Sequence, residues 1–146
     1  MITAKLKQIL ADSGCTLVLY DQQQIVNLFT DRSDQFDIIG IIIQPEIITL
    51  EVRANAISEH YNPLTIEVVR QVGLEDKAEV NETKLQECLD TCKEIIVRLI
   101  ASAEFKTITP VNAIRILESK YDANVIGWSI ALNLYYLKNE TRKPCL

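Results

Sequence analysis

The stretch Asn81-Glu-Thr-Lys-Leu-Gln-Glu-Cys-Leu-Asp-Thr-Cys-Lys-Glu-Ile-Ile-Val-Arg-Leu-Ile-Ala-Ser-Ala-Glu-Phe105 decides the fold. Its apolar residues are Leu85, Cys88, Leu89, Cys92, Ile95, Ile96, Leu99, Ile100 and Ala103. They recur at steps of three and one, which is a single stripe on a helix of 3.6-residue period. Glu82, Lys84, Gln86, Glu87, Asp90, Lys93, Glu94, Arg98 and Ser102 fill the opposite face. A helix of this kind needs an apolar surface to cover. At first sight every other apolar segment of the chain reads as strand, so a sheet packed on this helix is the expected centre.

Working outward, Ile2, Leu6, Ile9 and Leu10 repeat at helical spacing until Asp12-Ser-Gly14, where Gly14 suits a left-handed helix end. This predicts a first helix over Thr3–Asp12. Cys15–Tyr20 reads as a short strand. Asp21–Phe29 reads as a short capped helix, with a strand as the competing reading, and Asp31–Gln35 as a polar loop. Phe36–Ile43 is apolar on both parities, as in a strand covered on both faces. Ile48, Leu50 and Val52 alternate with Thr49, Glu51 and Arg53, as in a strand with one wet face. Between these two strands Gln44-Pro45-Glu46 reads as a hairpin turn.

Arg53–Pro63 reads as an irregular loop. Leu64, Ile66, Val68 and Val72 then mark one face of a further strand, with Thr65, Glu67, Val69 and Gln71 on the other. An acidic connection follows, with Asn81 as the expected N-cap of the central helix. After Phe105, Ile114 and Ile116 alternate within a strand over Thr107–Ser119, and Lys120–Asn124 reads as a turn. Val125–Leu137 is the cleanest strand pattern: Ile126, Trp128, Ile130, Leu132, Leu134 and Tyr136 share a face. Residues 138–146 are a short polar tail. The order is not the strict alternation of a doubly wound parallel sheet. It predicts one α+β domain over 1–146, a mostly antiparallel sheet packed by one long helix (81–104) and an N-terminal helix.

The 146 residues suffice for one core without staples. Net charge is −5, which disfavours general binding to phosphate backbones. Residues 75–94 hold seven acids and three bases and carry most of that charge. They read as a solvated helix face with acids near its N-terminus, since no EF-hand spacing occurs. No apolar run approaches the ~20 residues of a membrane span, and no signal core opens the chain. A cytoplasmic site of synthesis with reduced Cys15, Cys88, Cys92 and Cys145 is the expectation.

No Gly-rich phosphate loop, nucleophile elbow or HExxH is present. Cys88 and Cys92, four apart, could form half of a metal site completed by Cys15 or His60; both fall on the apolar stripe, where free cysteine commonly packs. His60 could act as a general base with Glu59 and Tyr61, but the ordinary reading is an exposed loop histidine. Trp128, Tyr135 and Tyr136 could stack bases, but no Lys or Arg clusters around them, and core and flank packing accounts for them. No cofactor and no metal are expected, and the chain reads as a non-enzyme. The long strands leave surplus β-edge, which favours pairing with another chain.

An opening helix, a strand hairpin and the long helix Leu85–Ala103 are followed by two antiparallel strands, the closing one Asn124-Val-Ile-Gly-Trp-Ser-Ile-Ala-Leu-Asn-Leu-Tyr-Tyr136. This arrangement resembles the tail-terminator and tail-completion (neck) proteins of tailed bacteriophages. The resemblance is one of pattern and carries no site residues. It implies a ring-forming structural subunit of a virion tail or neck. Its partners would be further copies of itself and other tail or neck proteins, without sequence-specific nucleic-acid binding and without a membrane. Gln44, Pro45 and Glu46, with their flanking strands, are the expected oligomer contact. A small intracellular homodimeric binding module is the alternative, and an enzyme built around His60 a weaker one.

Overall fold

The computed structural model describes residues 2–20, 38–43, 45, 47–72, 78–120 and 123–137. Among the described residues two helices, α1 (Ile2–Asp12) and α2 (Ala78–Ala101), accompany six strands. These are β1 (Leu17–Leu19), β2 (Ile39–Ile43), β3 (Thr49–Arg53), β4 (Ala56–Gln71), β5 (Phe105–Lys120) and β6 (Ala123–Tyr136). They form one curled sheet in the order β1-β2-β4-β6-β5, with β3 also paired to β4. Among the described strands only the β1–β2 pair is parallel. The α+β architecture with a mostly antiparallel sheet is therefore the fold.

β4 organises the sheet. One of its edges pairs with β6 from Glu59↔Tyr136 to Gln71↔Val125. Its other edge is shared: β2 takes Thr65–Val69 and β3 takes Ala56–His60. The register slips between Tyr61 and Leu64, at Asn62-Pro63, where proline has no N–H to give to a ladder.

Alternation sends Leu64, Ile66 and Val68 of β4 to the helix side, together with Ile130, Leu132, Leu134 and Tyr136 of β6. There they pack with Leu6 and Leu10 of α1 and with Cys88, Cys92, Ile95 and Leu99 of α2. Trp128 Nε1 donates to the Leu85 carbonyl at 3.0 Å and pins β6 to α2. The opposite face holds a second buried group of Leu19, Ile39, Ile41, Val69, Ile116 and Val125. β2 is thus buried on both faces, as its double-parity apolar pattern requires.

α1 ends as its sequence predicts. Gly14 takes φ +113°, Gly14 N–H donates to the Ala11 carbonyl and Cys15 N–H to the Leu10 carbonyl, which is a Schellman closure. A glycine is also required where α1 meets β2. A Cβ on Gly40 would stand 2.7 Å from Leu10 Cδ2 and 2.8 Å from Cys15 Sγ. Lys5 Nζ, 2.8 Å from Glu104 Oε2, ties the other side of α1 to the segment that follows α2.

Several expectations are corrected. The central helix runs over 78–101 rather than 81–104, so Asn81 lies inside it and is not its cap. The apolar stripe is narrower than the sequence pattern: Ile96 is half-buried, and Ile100 and Ala103 face solvent. β2 and β3 do not form a hairpin about Gln44-Pro45-Glu46, because each pairs with β4 instead. The hairpin lies one strand later, β3 to β4, within the segment read as irregular loop. Gln44, Glu46, the proposed helix Asp21–Phe29, the loop Asp31–Gln35 and the tail 138–146 lie outside the described residues.

Candidate functional site

The β3–β4 hairpin turns on two residues, Ala54 and Asn55, between the paired Arg53 and Ala56. Ala54 has φ +51°, a left-handed conformation that a β-carbon disfavours by roughly 1–2 kcal/mol. The sequence held no Gly or Asn-Gly there to announce the turn. The two faces of this hairpin differ in chemistry, and both are open to solvent.

On the helix-side face, Leu50 is 57% exposed, Val52 70% and Ile57 51%. Val52 and Ile57 are directly opposed across the strands, and Leu50 opposes Glu59. Ile47 and Ile48, leading into β3, are exposed as well. Further along the same face the pattern turns inward: Tyr61 is buried and donates to Glu59 Oε2 at 2.7 Å. The outer edge of β3 has no partner strand among the described residues. This places an apolar patch beside an open backbone edge, in the segment that flanks Pro45.

The other face is polar. The registers line up Thr49, His60, Tyr135 and Lys106 in one row across β3, β4, β6 and β5. The His60 and Tyr135 rings stack at 4.0 Å, within 5° of parallel. His60 Nε2 shares a short hydrogen bond with Asn133 Oδ1. Beyond this row Glu51, Arg53, Ala56, Ser58, Lys106, Tyr135 and Leu137 line an open cavity of about 380 Å³. His60 is therefore a half-buried strand residue and not an exposed loop histidine. Alternation places it on the face opposite Glu59 and Tyr61, so those three do not converge on one site.

The remaining candidates are structural in position. Cys15, Cys88 and Cys92 belong to one buried cluster, and burial pushes each thiol up to about 12. Such thiols are poor nucleophiles and poor ligands at neutral pH. No cluster of three metal-ligating side chains occurs among the described residues. Glu79, Glu82, Gln86 and Asp90 lie along the open face of α2; Glu87 on that face pairs with Arg70 of β4. Tyr136 is buried against Phe105 at 5.2 Å, so of the three candidate stacking residues only Tyr135 lies on an open face of the sheet. No helix of the described residues is long and apolar enough to cross a membrane.

Comparison of the chain with known protein families, with characterised proteins and with solved structures returns no match.

Proposed function

We propose that the chain is a non-enzymatic structural subunit that assembles with copies of itself through the β3–β4 hairpin, in the manner of the tail-terminator and neck proteins it resembles. The observation that carries this reading is the apolar face of Leu50, Val52 and Ile57 beside the unpaired edge of β3. An exposed edge flanked by apolar side chains is a template for pairing with another chain. Burying these three side chains from their present exposure supplies roughly 1–2 kcal/mol each.

A second copy is the favoured partner because the other exposed apolar residues lie elsewhere. Val97 and Ile100 share a face of α2, and Ile114 lies on β5 at the opposite edge of the sheet. Two unlike apolar surfaces on one subunit are what a head-to-tail contact uses, and such contacts close into rings. Association at the virion tail or neck follows from the resemblance and is part of the same proposal. So is a partner surface for the next tail or neck component, presented on one face of the ring.

The test is sedimentation and negative-stain imaging of the purified chain over a range of concentration, with Leu50→Asp and Val52→Asp as variants. The reading expects a ring of fixed stoichiometry at high concentration, lost in both variants while circular dichroism stays unchanged. A monomer at ~1 mM, far above the micromolar range of specific association, overturns it. A two-fold dimer insensitive to both variants overturns it equally.

A further inference from the structure

We propose that the polar face of the β3–β4 hairpin is a binding site for a nucleoside monophosphate group, with the base laid against Tyr135 and the phosphate held by Arg53 and Lys106. The cavity there, about 380 Å³, falls within the range of small-molecule sites. Its lining divides by chemistry. Tyr135, Leu137 and Ala56 supply an apolar wall with one aromatic ring, which receives a planar heterocycle by stacking. The Tyr135 ring is already held upright by its parallel stack on His60, and His60 is held by Asn133. The platform is therefore ordered before any ligand arrives, which lowers the cost of binding.

Arg53 and Lys106 reach the same cavity from two different strands, β3 and β5. Among the described residues neither forms an ion pair, in contrast to Lys5, Arg70 and Arg98, which do. Two cations that form no ion pair among the described residues share this space with an aromatic wall and the single carboxylate of Glu51, and they offer charge-assisted donors to a phosphate attached to a base. Ser58 and Glu51 add a hydroxyl and an acceptor, suited to ribose hydroxyls or to base N–H groups. The chain as a whole is at −5, so it does not attract a long polyanion from a distance. The site suits one nucleotide unit, free or at the exposed end of a single strand. It lies on the face opposite Leu50 and Val52 and does not depend on the assembly reading.

The experiment is a titration of the full ¹⁵N-labelled chain followed by amide shifts, with four probes: AMP, adenosine, ribose 5-phosphate and a short single-stranded oligo-dT. The Leu50→Asp variant serves as background if the chain assembles. AMP is expected to shift residues 51–58, 106 and 135–137. Adenosine and ribose 5-phosphate should each bind more weakly, because each lacks one half of the recognised chemistry. Lys106→Gln and Arg53→Gln should weaken AMP by about tenfold to a hundredfold, the value of a charge-assisted bond to phosphate. Tyr135→Leu should weaken AMP and adenosine but leave ribose 5-phosphate unchanged. Lys93→Gln, on the solvent face of α2, should change nothing. Tighter binding of oligo-dT than of AMP assigns the source as a single strand, and the reverse assigns it as free nucleotide. Absence of AMP shifts at ~10 mM, or AMP binding equal in wild type and Lys106→Gln, overturns the proposal.

Discussion

Replacing Gly40 by alanine tests how closely α1 is seated on the sheet. On local preference alone, alanine for glycine inside a strand stabilises by roughly 0.5–1 kcal/mol. Here the new methyl would stand 2.7 Å from Leu10 Cδ2 and 2.8 Å from Cys15 Sγ, both inside van der Waals contact. Leu10 is fully buried and Cys15 nearly so, hence neither side chain has free space to swing into. Overpacking of this kind costs about 1–3 kcal/mol; two collisions with buried atoms put Gly40 in the upper half of that range, so after the gain in local preference Gly40→Ala should lose roughly 1–2.5 kcal/mol net. Leu10→Ala alone should lose about 2–5 kcal/mol through the cavity it leaves. The double variant removes the colliding Cδ2 and fills part of the void. It should therefore be more stable than the sum of the single losses by about 1 kcal/mol or more. Urea unfolding measures this through the midpoint, with an unchanged slope confirming a common unfolded state. A neutral or stabilising Gly40→Ala, or losses that add within ~0.5 kcal/mol, would refute the close seating of α1. Gly127→Ala is the contrast: there the methyl runs into the Val68 carbonyl oxygen and approaches Val69 Cα to 2.8 Å. Those are backbone atoms, so no side-chain truncation should rescue it.

Four further outcomes follow from the packing. Ile95→Asp should prevent folding, because it leaves an unpaired charge in the core, whereas Ile100→Asp, at a position 57% exposed, should shift stability by less than ~1 kcal/mol; circular dichroism separates the two. Ala54→Gly should raise the unfolding midpoint by the equivalent of about 1 kcal/mol, by relieving the left-handed alanine at φ +51°. Cys15, Cys88 and Cys92 should resist alkylation at pH 8 in the folded chain and react once it unfolds, as peptide mapping of labelled sites would show. The same thiols predict an alkaline limit: their folded pKa stands near 12 against 9.0 for the free group, so the unfolded chain gives up protons first. Stability is complete below pH 9 and should fall above it toward pH 12, by about 1.4 kcal/mol per pH unit for each thiol; equal slopes in wild type and Cys88→Ala would contradict this.

The fold was legible where periodicity was long. Leu64–Val68 and Ile126–Tyr136 each present one face of strict alternation, and the structure lays those faces together under α2. The stripe on α2 is legible in its middle and overstated at its end: Ile100 lies to the side of the buried line of Ile95 and Leu99, and Ala103 falls beyond the helix end at Ala101. The hairpin is misplaced because its turn is weakly marked, by Asn55 alone. Ala54-Asn55 has neither glycine nor proline, while Gln44-Pro45-Glu46 carries a proline and looks like a turn in sequence. The consequence reached the site. The local pattern around His60 is that of a loop, and its stack on Tyr135 depends on a register between residues far apart in the chain, which no local pattern encodes. Arg53 and Lys106 likewise stand on different strands, so the absence of a basic cluster in sequence hid a pair of cations sharing one cavity.

β6 is the last of the described strands to be synthesised, yet it lies in the interior of the sheet, between β4 and β5. A nascent chain that has passed α2 holds β4 with its long β6-facing edge bare and with Leu64, Ile66 and Val68 only partly covered. The edge is filled when residues as late as Tyr136 leave the ribosome, and the Leu64↔Leu132 pairing must then span the whole of α2 and β5. Pairings of such sequence separation are slow to form, and an apolar edge left waiting is where neighbouring nascent chains adhere. A stop codon or a slow codon run between α2 and β6 should therefore send the product into aggregates rather than into a shortened soluble chain.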